Sequence, residues 1–156
     1  MDDTIARVDP MDIIVKRFEE LNVHELHDIY KLRVAVFVVE QNCPYQEIDD
    51  NVDENSIHVC FRDDGELIAY IRVVPAGVKF DDVSIGRVIC TRRRQGIGSK
   101  IMAEGIRIAQ EEFGAKRIVV EAQTYARKFY EASEFEKCSD EFLEDGIPHI
   151  MMALDL

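Results

Sequence analysis

The feature that most constrains this chain is a short glycine-containing loop between a predicted strand and a predicted helix. Before the loop, Val83–Cys90 is apolar and rich in β-branched residues, which is typical of a strand. After it, apolar residues recur at three- and four-residue spacings, which predicts a helix over residues 99–113 with Gly114 at its C-cap. The loop reads Arg93-Arg94-Gln95-Gly96-Ile97-Gly98. Strand, loop and helix in this order indicate an α/β fold.

A loop at the start of a helix favours anions. The first backbone N–H groups of a helix have no partner within it, and glycines let the backbone close around a phosphate. Two nucleotide motifs fail on spacing. A P-loop needs Gly-Lys-Ser/Thr where Gly98-Ser99-Lys100 stands, and a dinucleotide fingerprint needs a glycine where Ile101 stands. The loop therefore predicts a pyrophosphate site of another kind, against the alternative of an ordinary strand-to-helix turn.

The spacing R-x-x-G-x-G, with Arg93, Gly96 and Gly98 at its fixed positions, resembles the acetyl-CoA loop of the GNAT N-acetyltransferases. That resemblance implies that loop amides hold the pyrophosphate of acetyl-CoA, the cosubstrate. It also implies a GNAT fold, a mixed and mostly antiparallel β-sheet flanked by helices on both faces. The implied cofactor-binding residues are Val88, Ile89, Arg93, Arg94, Gln95, Gly96, Ile97, Gly98, Ser99 and Phe129.

A second segment, residues 118–135, resembles the other half of the GNAT cofactor site. There the family carries an aromatic pair, matched here by Phe129 and Tyr130, whose tyrosine donates a proton to the departing CoA thiolate. The chemistry is reasonable, because a phenol with a pKa of about 10 is protonated at neutral pH and can stabilise a sulfur anion. The alternative is that the pair simply packs the helix. The chain departs from the family at Glu134, where a glycine is usual.

Residues 32–49 and 144–150 resemble the ElaA-type branch of the GNAT proteins. This branch implies no defined acceptor, so the primary amine could belong to a small metabolite, a polyamine, a peptide end or a lysine. The residues expected in an acceptor cleft are Arg33, Phe37, Glu40, Tyr45 and Asp49.

An ammonium acceptor must lose a proton before it attacks the thioester. Glu121 lies on the strand beside the cofactor helix, and His149 lies beside the C-terminal strand with a suitable ordinary pKa near 6.5. Each also has a structural interpretation, as a paired strand carboxylate or a turn histidine. The sequence leaves the base open between Glu121, His149 and an ordered water.

The remaining pattern predicts an element order of β-α-β-β-β-α-β-α-β-β, in keeping with the fold named above. Asn22 is placed to cap the first helix, with Glu25 as its capping-box partner. Asp63-Asp64-Gly65 predicts a hairpin turn. The remaining expectations are a strand over 12–18, a first helix reaching Val39, an acidic loop over 43–56, strands over 57–62, 66–74 and 117–122, a helix over 126–132, and final strands over 136–142 and 149–154.

Length and charge bound the function. A chain of 156 residues fits a single domain, expected over residues 12–156 behind a loose segment of residues 1–11. A net charge of −12 argues against nucleic-acid binding. Neither a membrane-length apolar run nor a signal-peptide pattern stands out in the sequence, so the expected place is the cytoplasm, without a membrane partner.

The four cysteines are scattered, with no C-x-x-C pair, so no metal is expected and all four are predicted to be reduced. Cys60 and Cys90 are expected as small core residues, and Cys43 as the most accessible of the four. A Cys43 acetyl relay finds no paired base in the sequence.

Two further alternatives keep the fold, and a homodimer is compatible with either. Arg33 and Phe37, followed by acidic residues, also resemble acyl-homoserine-lactone synthases, although this chain lacks the tryptophans usual in them. The domain could also bind acyl-CoA without catalysis, because a cofactor site does not prove turnover.

Overall fold

The structure, a computed structural model, describes residues 11–49, 51–93 and 95–156. The strands are β1 (Met11–Arg17), β2 (Ile57–Asp63), β3 (Glu66–Val74), β4 (Val83–Cys90), β5 (Arg117–Gln123), β6 (Glu136–Lys137), β7 (Phe142–Glu144) and β8 (Ile147–Asp155). The α-helices are α1 (Val23–Arg33), α2 (Val52–Asn55), α3 (Ile97–Phe113) and α4 (Arg127–Glu131). Short 3₁₀ turns cover Phe18–Glu20 and Thr124–Ala126, and a π-helical segment covers Val34–Glu40.

The described strands form one mixed sheet in the order β1-β2-β3-β4-β5-β8-β6, and β7 also pairs with β8. Neighbours are antiparallel except β4 and β5. Ile71 and Ile85 face Gly105 of α3, whereas Tyr70 clusters with Ile29 of α1. Because consecutive side chains of a strand point to opposite faces, α1 and α3 cover opposite faces of the sheet. The predicted fold class is confirmed.

Local sequence signals position several elements as predicted. The side chain of Asn22 accepts a hydrogen bond from the Glu25 amide at 2.8 Å, and the Asn22 amide donates to the Glu25 carboxylate at 2.9 Å. This capping box satisfies N–H groups at the start of α1. Asp64 and Gly65 both have positive φ, and they close the β2–β3 hairpin.

The feature that creates room for a ligand is the short ladder between β4 and β5. Among the described residues, this parallel ladder comprises two pairs, Val83 with Ile118 and Ser84 with Val119. Each strand continues for several residues beyond those pairs. The two strands therefore diverge toward their C-terminal ends and leave a gap in the middle of the sheet.

A β-bulge lies on β4 beside this gap. Arg72 of β3 pairs with Gly86, whereas Tyr70 pairs with Ile89, so β4 has one residue more than β3 between the two pairs. Arg87 within the bulge has a φ of 54°. A bulge leaves backbone groups outside the ladder and re-aims side chains.

The structure differs from the sequence expectation in three elements. The first helix becomes π-helical over Val34–Glu40, a segment with four valines, whose β-branched side chains fit an α-helix poorly. The acidic loop over 43–56 contains α2. The final two strands become three, because the tight turn at Asp145 and Gly146, both with positive φ, pairs β7 with β8 as a hairpin.

Some expectations lie outside the described residues. The loose N-terminal segment of residues 1–11 does so except for Met11, which begins β1. Asp50 of the acidic loop and Arg94 of the glycine loop are also outside them.

Candidate functional site

A cleft of about 630 Å³ occupies the gap where β4 and β5 diverge. Its walls come from both strands, from the π-helical segment and the chain after it, and from the residues that follow β5. Eight of the residues expected to form a site line it: Phe37, Tyr45, Val88, Arg93, Glu121, Phe129, Tyr130 and His149.

The glycine loop leads directly into α3, as the sequence predicts. Gly96 is the N-cap and has a φ of 72°, a left-handed conformation that glycine adopts without a Cβ penalty. Ile97 is buried and fixes the first turn against the core, whereas Gln95 and Ser99 are exposed. Exposed N–H groups at this end of a 17-residue helix suit a phosphate.

The loop packs closely against the aromatic pair. A Cβ on Gly98 would lie 2.9 Å from Cε1 of Phe129. Val88 and Arg93 line the cleft between the bulge and the loop, whereas Ile89 is buried. The predicted cofactor residues that the structure describes thus fall into three groups: the cleft wall, the buried packing beside it, and the exposed part of the loop, which contains Gln95, Gly96 and Ser99.

Tyr130 lies at the inner end of α4 and is 8% exposed while lining the cleft. Its ring makes edge contacts with Phe129 and Phe135, with centroids 5.1 and 6.0 Å apart. Burial raises the pKa of Tyr130, so the phenol stays protonated at neutral pH. The turn after α4 keeps a glycine-like conformation, because Glu134 has a φ of 69°.

Both candidate bases line the cleft. Burial raises the pKa of Glu121, Lys79 opposes the rise, and the neighbouring carboxylate of Glu144 adds to it. Glu121 Oε2 lies 3.7 Å from Lys79 Nζ. A raised pKa makes a carboxylate a better proton acceptor than it is in water.

The ring of His149 is oriented by a hydrogen bond at its Nδ1. Its Nδ1 lies 2.7 Å from the carbonyl oxygen of Ile147, and its ring stacks on Phe142. Because a carbonyl only accepts, Nδ1 must carry a proton, which leaves Nε2 as the acceptor of the neutral ring. The structure therefore leaves two candidate bases of different chemistry beside one cleft.

The expected acceptor residues divide into three groups. Phe37 and Tyr45 line the cleft, in keeping with the expectation. Arg33 is wrong as an acceptor contact, because its side chain is 0% exposed and holds Glu47 and Asp53 inside the protein. The exposed Glu40 and the half-buried Asp49 are not among the cleft-lining residues, so their role in acceptor binding stays a prediction.

Arg33 belongs to a buried charge network. Its Nε lies 2.6 Å from Glu47 and its Nη1 lies 2.7 Å from Asp53. Arg87 bonds the same Glu47 at 2.8 Å, and Arg72 bonds the same Asp53 at 3.0 Å. Each buried carboxylate thus joins one arginine of the interior to one arginine of the cleft wall.

Charge pairing overrides burial in the network. Burial alone would raise the pKa of Glu47, but Arg87 and Arg33 lower it, and a hydrogen bond from Tyr45 assists them. For Asp53, burial also acts to raise the pKa, and Arg33 and Arg72 lower it. Both carboxylates are therefore ionised at neutral pH, which balances the buried guanidinium groups.

Among the cleft residues that sequence reasoning missed are Arg72, Lys79, Gly86 and Arg87. Two of them carried a signal. A glycine inside a β-branched strand, here Gly86, often marks a bulge or a close backbone approach. An arginine inside an apolar strand, here Arg72, is rarely buried without a charged partner.

The expectation for the cysteines also needs correction. Cys43 is buried, and its thiol points to the carbonyl oxygen of Asp145 at 3.5 Å. Cys138 is the exposed one, Cys60 is buried and Cys90 is half-buried. Although it is buried, Cys43 lines the cleft together with Tyr45 and Gln46, which follow it in the chain.

The described residues lack two features, a membrane-spanning helix and a metal-binding cluster. None of their helices combines the length and apolar character needed to cross a membrane. Nor do they contain a group of three or more His, Cys, Asp or Glu side chains placed to hold a metal ion.

Comparisons with known proteins agree with this geometry. The family model of the acetyltransferase (GNAT) domain matches residues 25–156. A UPF0039 protein of Schizosaccharomyces pombe is 42% identical over 150 residues, covering 94% of this chain and 98% of that protein. Protein ElaA of Escherichia coli is 36% identical over 140 residues, covering 88% of this chain and 92% of ElaA.

Solved structures give the same result. The crystal structure of Escherichia coli ElaA superposes with a TM-score of 0.84, covering 92% of this chain and 98% of that one. An acyl-CoA N-acyltransferase from Pseudomonas aeruginosa is 34% identical and also superposes with a TM-score of 0.84, again covering 92% and 98%.

Proposed function

Because this chain belongs to the GNAT acetyltransferase family, in its ElaA-type branch, we propose that it transfers an acetyl group from acetyl-CoA to a primary amine. The observation that carries the proposal is the cleft between the diverging strands β4 and β5. The glycine loop meets it through Arg93, which lines it, and through Gly98, which packs beside Phe129 of its wall. Tyr130, Glu121 and His149 line its interior.

The loop residues fit a pyrophosphate. Free N–H groups at the start of α3 and the positive side chain of Arg93 attract phosphate oxygens. Gly96 supplies the left-handed turn, and Gly98 leaves the space that Phe129 fills. A side chain at either position would disturb the cradle.

The bulge of β4 fits the thioester end. Arg87 and Val88 lie between the pairs of β4 with β3, and both line the cleft. An N–H donor there can stabilise the negative charge that develops on the acyl oxygen during attack by the amine. This supports a role of Val88 through its backbone.

Proton transfer completes the chemistry. Glu121 or His149 accepts a proton from the acceptor ammonium, and the amine then forms a bond to the acyl carbon. As the carbon–sulfur bond breaks, the Tyr130 hydroxyl donates a proton to the leaving thiolate. Burial raises the pKa of Tyr130, so its hydroxyl stays protonated and can donate.

The first experiment is calorimetric titration with acetyl-CoA, with ATP as the control ligand. We expect micromolar binding of acetyl-CoA alone. Gly96→Val should abolish binding, because valine at a φ of 72° strains the cradle backbone. Retained binding in this variant would overturn the cradle.

Gly65→Val is the matched control. Gly65 has a φ of 82° in the β2–β3 turn and also has open space around it, so it carries similar backbone strain away from the cleft. We expect this variant to lose stability but keep acetyl-CoA binding. Thiol release over a panel of amines then separates an enzyme from a domain that only binds acyl-CoA. Long acyl-carrier donors, tested in parallel, address the acyl-homoserine-lactone-synthase alternative.

A further inference from the structure

Arg72, on β3, has a buried guanidinium group, and only one of its three nitrogens is hydrogen-bonded to described residues. Its Nη1 lies 3.2 Å from Asp49 and 3.0 Å from Asp53. Its Nε and Nη2 have no hydrogen-bond partner among the described residues, although the side chain is 0% exposed. Unpaired buried donors are costly, and Arg72 also lines the cleft. A ligand oxygen would satisfy them.

Gly86 leaves space for that oxygen. It is the ladder partner of Arg72 and also lines the cleft. A Cβ placed on Gly86 would lie 4.0 Å from Arg72 Nη2, and within 4 Å it would meet no other described residue beyond its chain neighbours. The space above this glycine therefore opens onto the unpaired nitrogen.

Glu121 faces the same space from the other side. Ser84 pairs with Val119, so two residues further along each strand Gly86 and Glu121 stand level across the gap. Arg72, Gly86 and Glu121 thus form a row on one face of the sheet. Arg72 and Gly86 are one strand spacing apart, and beyond Gly86 the gap between the diverging strands separates them from Glu121.

The two ends of the row have opposite charge preferences. Glu121 already attracts the ammonium of Lys79, at 3.7 Å, which is longer than a hydrogen bond. An acceptor amine can therefore take a closer place beside Glu121. At the other end, the paired N–H groups of Arg72 match a carboxylate.

We infer that the acceptor is a small amine that carries a carboxylate, such as a free amino acid, with its carboxylate on Nε and Nη2 of Arg72. The amine then lies beside Glu121. This inference rests on the proposed function, since it names the acceptor class of the same cleft.

The test uses the proteinogenic amino acids and their α-amides as paired acceptors, with thiol release from acetyl-CoA as the readout. For the preferred side chain, we expect kcat/KM of the acid to exceed that of the amide by about tenfold or more, as a charge-assisted hydrogen-bond pair provides. Equal values for acid and amide would overturn the inference and leave the proposed function standing.

Two variants locate the preference. Arg72→Gln should bring the acid and amide values together, whereas Arg62→Gln, on β2 and paired with Asp28, should leave their ratio unchanged. Gly86→Ala keeps the ion pairs of Arg72 and fills the space beside Nη2. It should raise KM for the acid about tenfold, with a smaller change for the amide. An unchanged ratio in a folded Gly86→Ala protein would contradict the inference.

A binding measurement separates the two failures. N-acetyl amino acids and their amides are titrated calorimetrically into the wild type and Arg72→Gln, which needs no turnover. If neither acceptor panel releases thiol, the proposed function fails. Arg72-dependent binding of the N-acetyl acids would still support a carboxylate site, and equal or absent binding would overturn it.

Discussion

A Cβ on Gly98 would approach Cε1 of Phe129 to 2.9 Å, so the phosphate loop and the aromatic pair are in direct contact. The two motifs stand far apart in the sequence. Phe129 in turn makes an edge contact with Tyr130. The position of Tyr130, the proposed proton donor, therefore depends on the absence of a side chain at Gly98.

Gly98→Ala should lower acetyl-CoA affinity and stability together, with an overpacking cost of about 1–3 kcal/mol, because its methyl group displaces Phe129. Combining it with Phe129→Leu should restore part of both losses. Calorimetry and thermal unfolding of the two single variants and the double variant give the coupling free energy. Strict additivity would mean that the contact has no energetic role.

Tyr130→Phe should lower kcat by about 10²- to 10⁴-fold with little change in acetyl-CoA affinity, because it removes only the hydroxyl of the buried proton donor. Tyr125→Phe is the control, since this exposed tyrosine also lines the cleft. Steady-state kinetics with an acceptor found by thiol release make the comparison. Equal kcat values for the wild type and Tyr130→Phe would exclude the acid role.

The pH profile of kcat/KM should identify the base. If Glu121 is the base, activity rises with pH through the raised pKa of this carboxyl, above its ordinary 4.5, and Glu121→Gln removes that limb. Glu144→Gln should move the limb to lower pH, because the charge of Glu144 helps to raise the pKa of Glu121. Loss of the limb in His149→Gln instead would assign the role to Nε2 of His149.

Arg33→Met should destabilise the fold by about 3–5 kcal/mol, because it leaves buried carboxylates of Glu47 and Asp53 with fewer partners. Arg117→Met should leave stability nearly unchanged, since Arg117 pairs with Asp155 on the surface. Denaturant unfolding measures both. If Arg33→Met lost little unfolding free energy but had a raised KM for the acceptor, Arg33 would be assigned to the acceptor site.

Stability should fall as the solution is acidified. Glu47 and Asp53 have folded-state pKa values lowered from 4.5 and 3.8, so the folded protein binds fewer protons than the unfolded chain. Their contribution is complete above those ordinary values and is lost as pH falls through the lowered ones. Glu47→Gln should flatten this loss, measured as unfolding free energy from about pH 7 to about pH 3. Glu104→Gln, on the surface of α3, should not.

Structural features that depend on residues close together in the sequence could be predicted from the sequence. The capping box of Asn22 and Glu25 and the left-handed turn at Asp64 and Gly65 each depend on residues within three positions of one another. The glycine loop and the aromatic helix were readable for the same reason. Their chemistry is local, and the fold only joins them.

Long-range pairing was not readable. Arg33 looked like an acceptor contact because its partners, Glu47 and Asp53, follow it by 14 and 20 residues. Nothing local tells a guanidinium that meets a ligand from one that meets a buried carboxylate. Arg72 combines a buried carboxylate partner with two unpaired nitrogens, and only the register of β3 with β4 reveals that these lie beside Gly86.

The two-pair ladder between β4 and β5 has a mechanical consequence. The sheet consists of two half-sheets, β1–β4 and β5–β8, joined along the sheet by the pairs at Val83 and Ser84. Past the pair of Ser84 with Val119, β4 is still paired with β3 but has no described partner strand on its other side, so we expect amide protons on that side to exchange with water more readily than those of β3. A ligand bound between the diverging ends of β4 and β5 would contact both half-sheets, so we expect the rigidity of the sheet to increase with the fraction of protein that holds ligand. Slowed hydrogen exchange in β4 is thus a direct record of ligand residence.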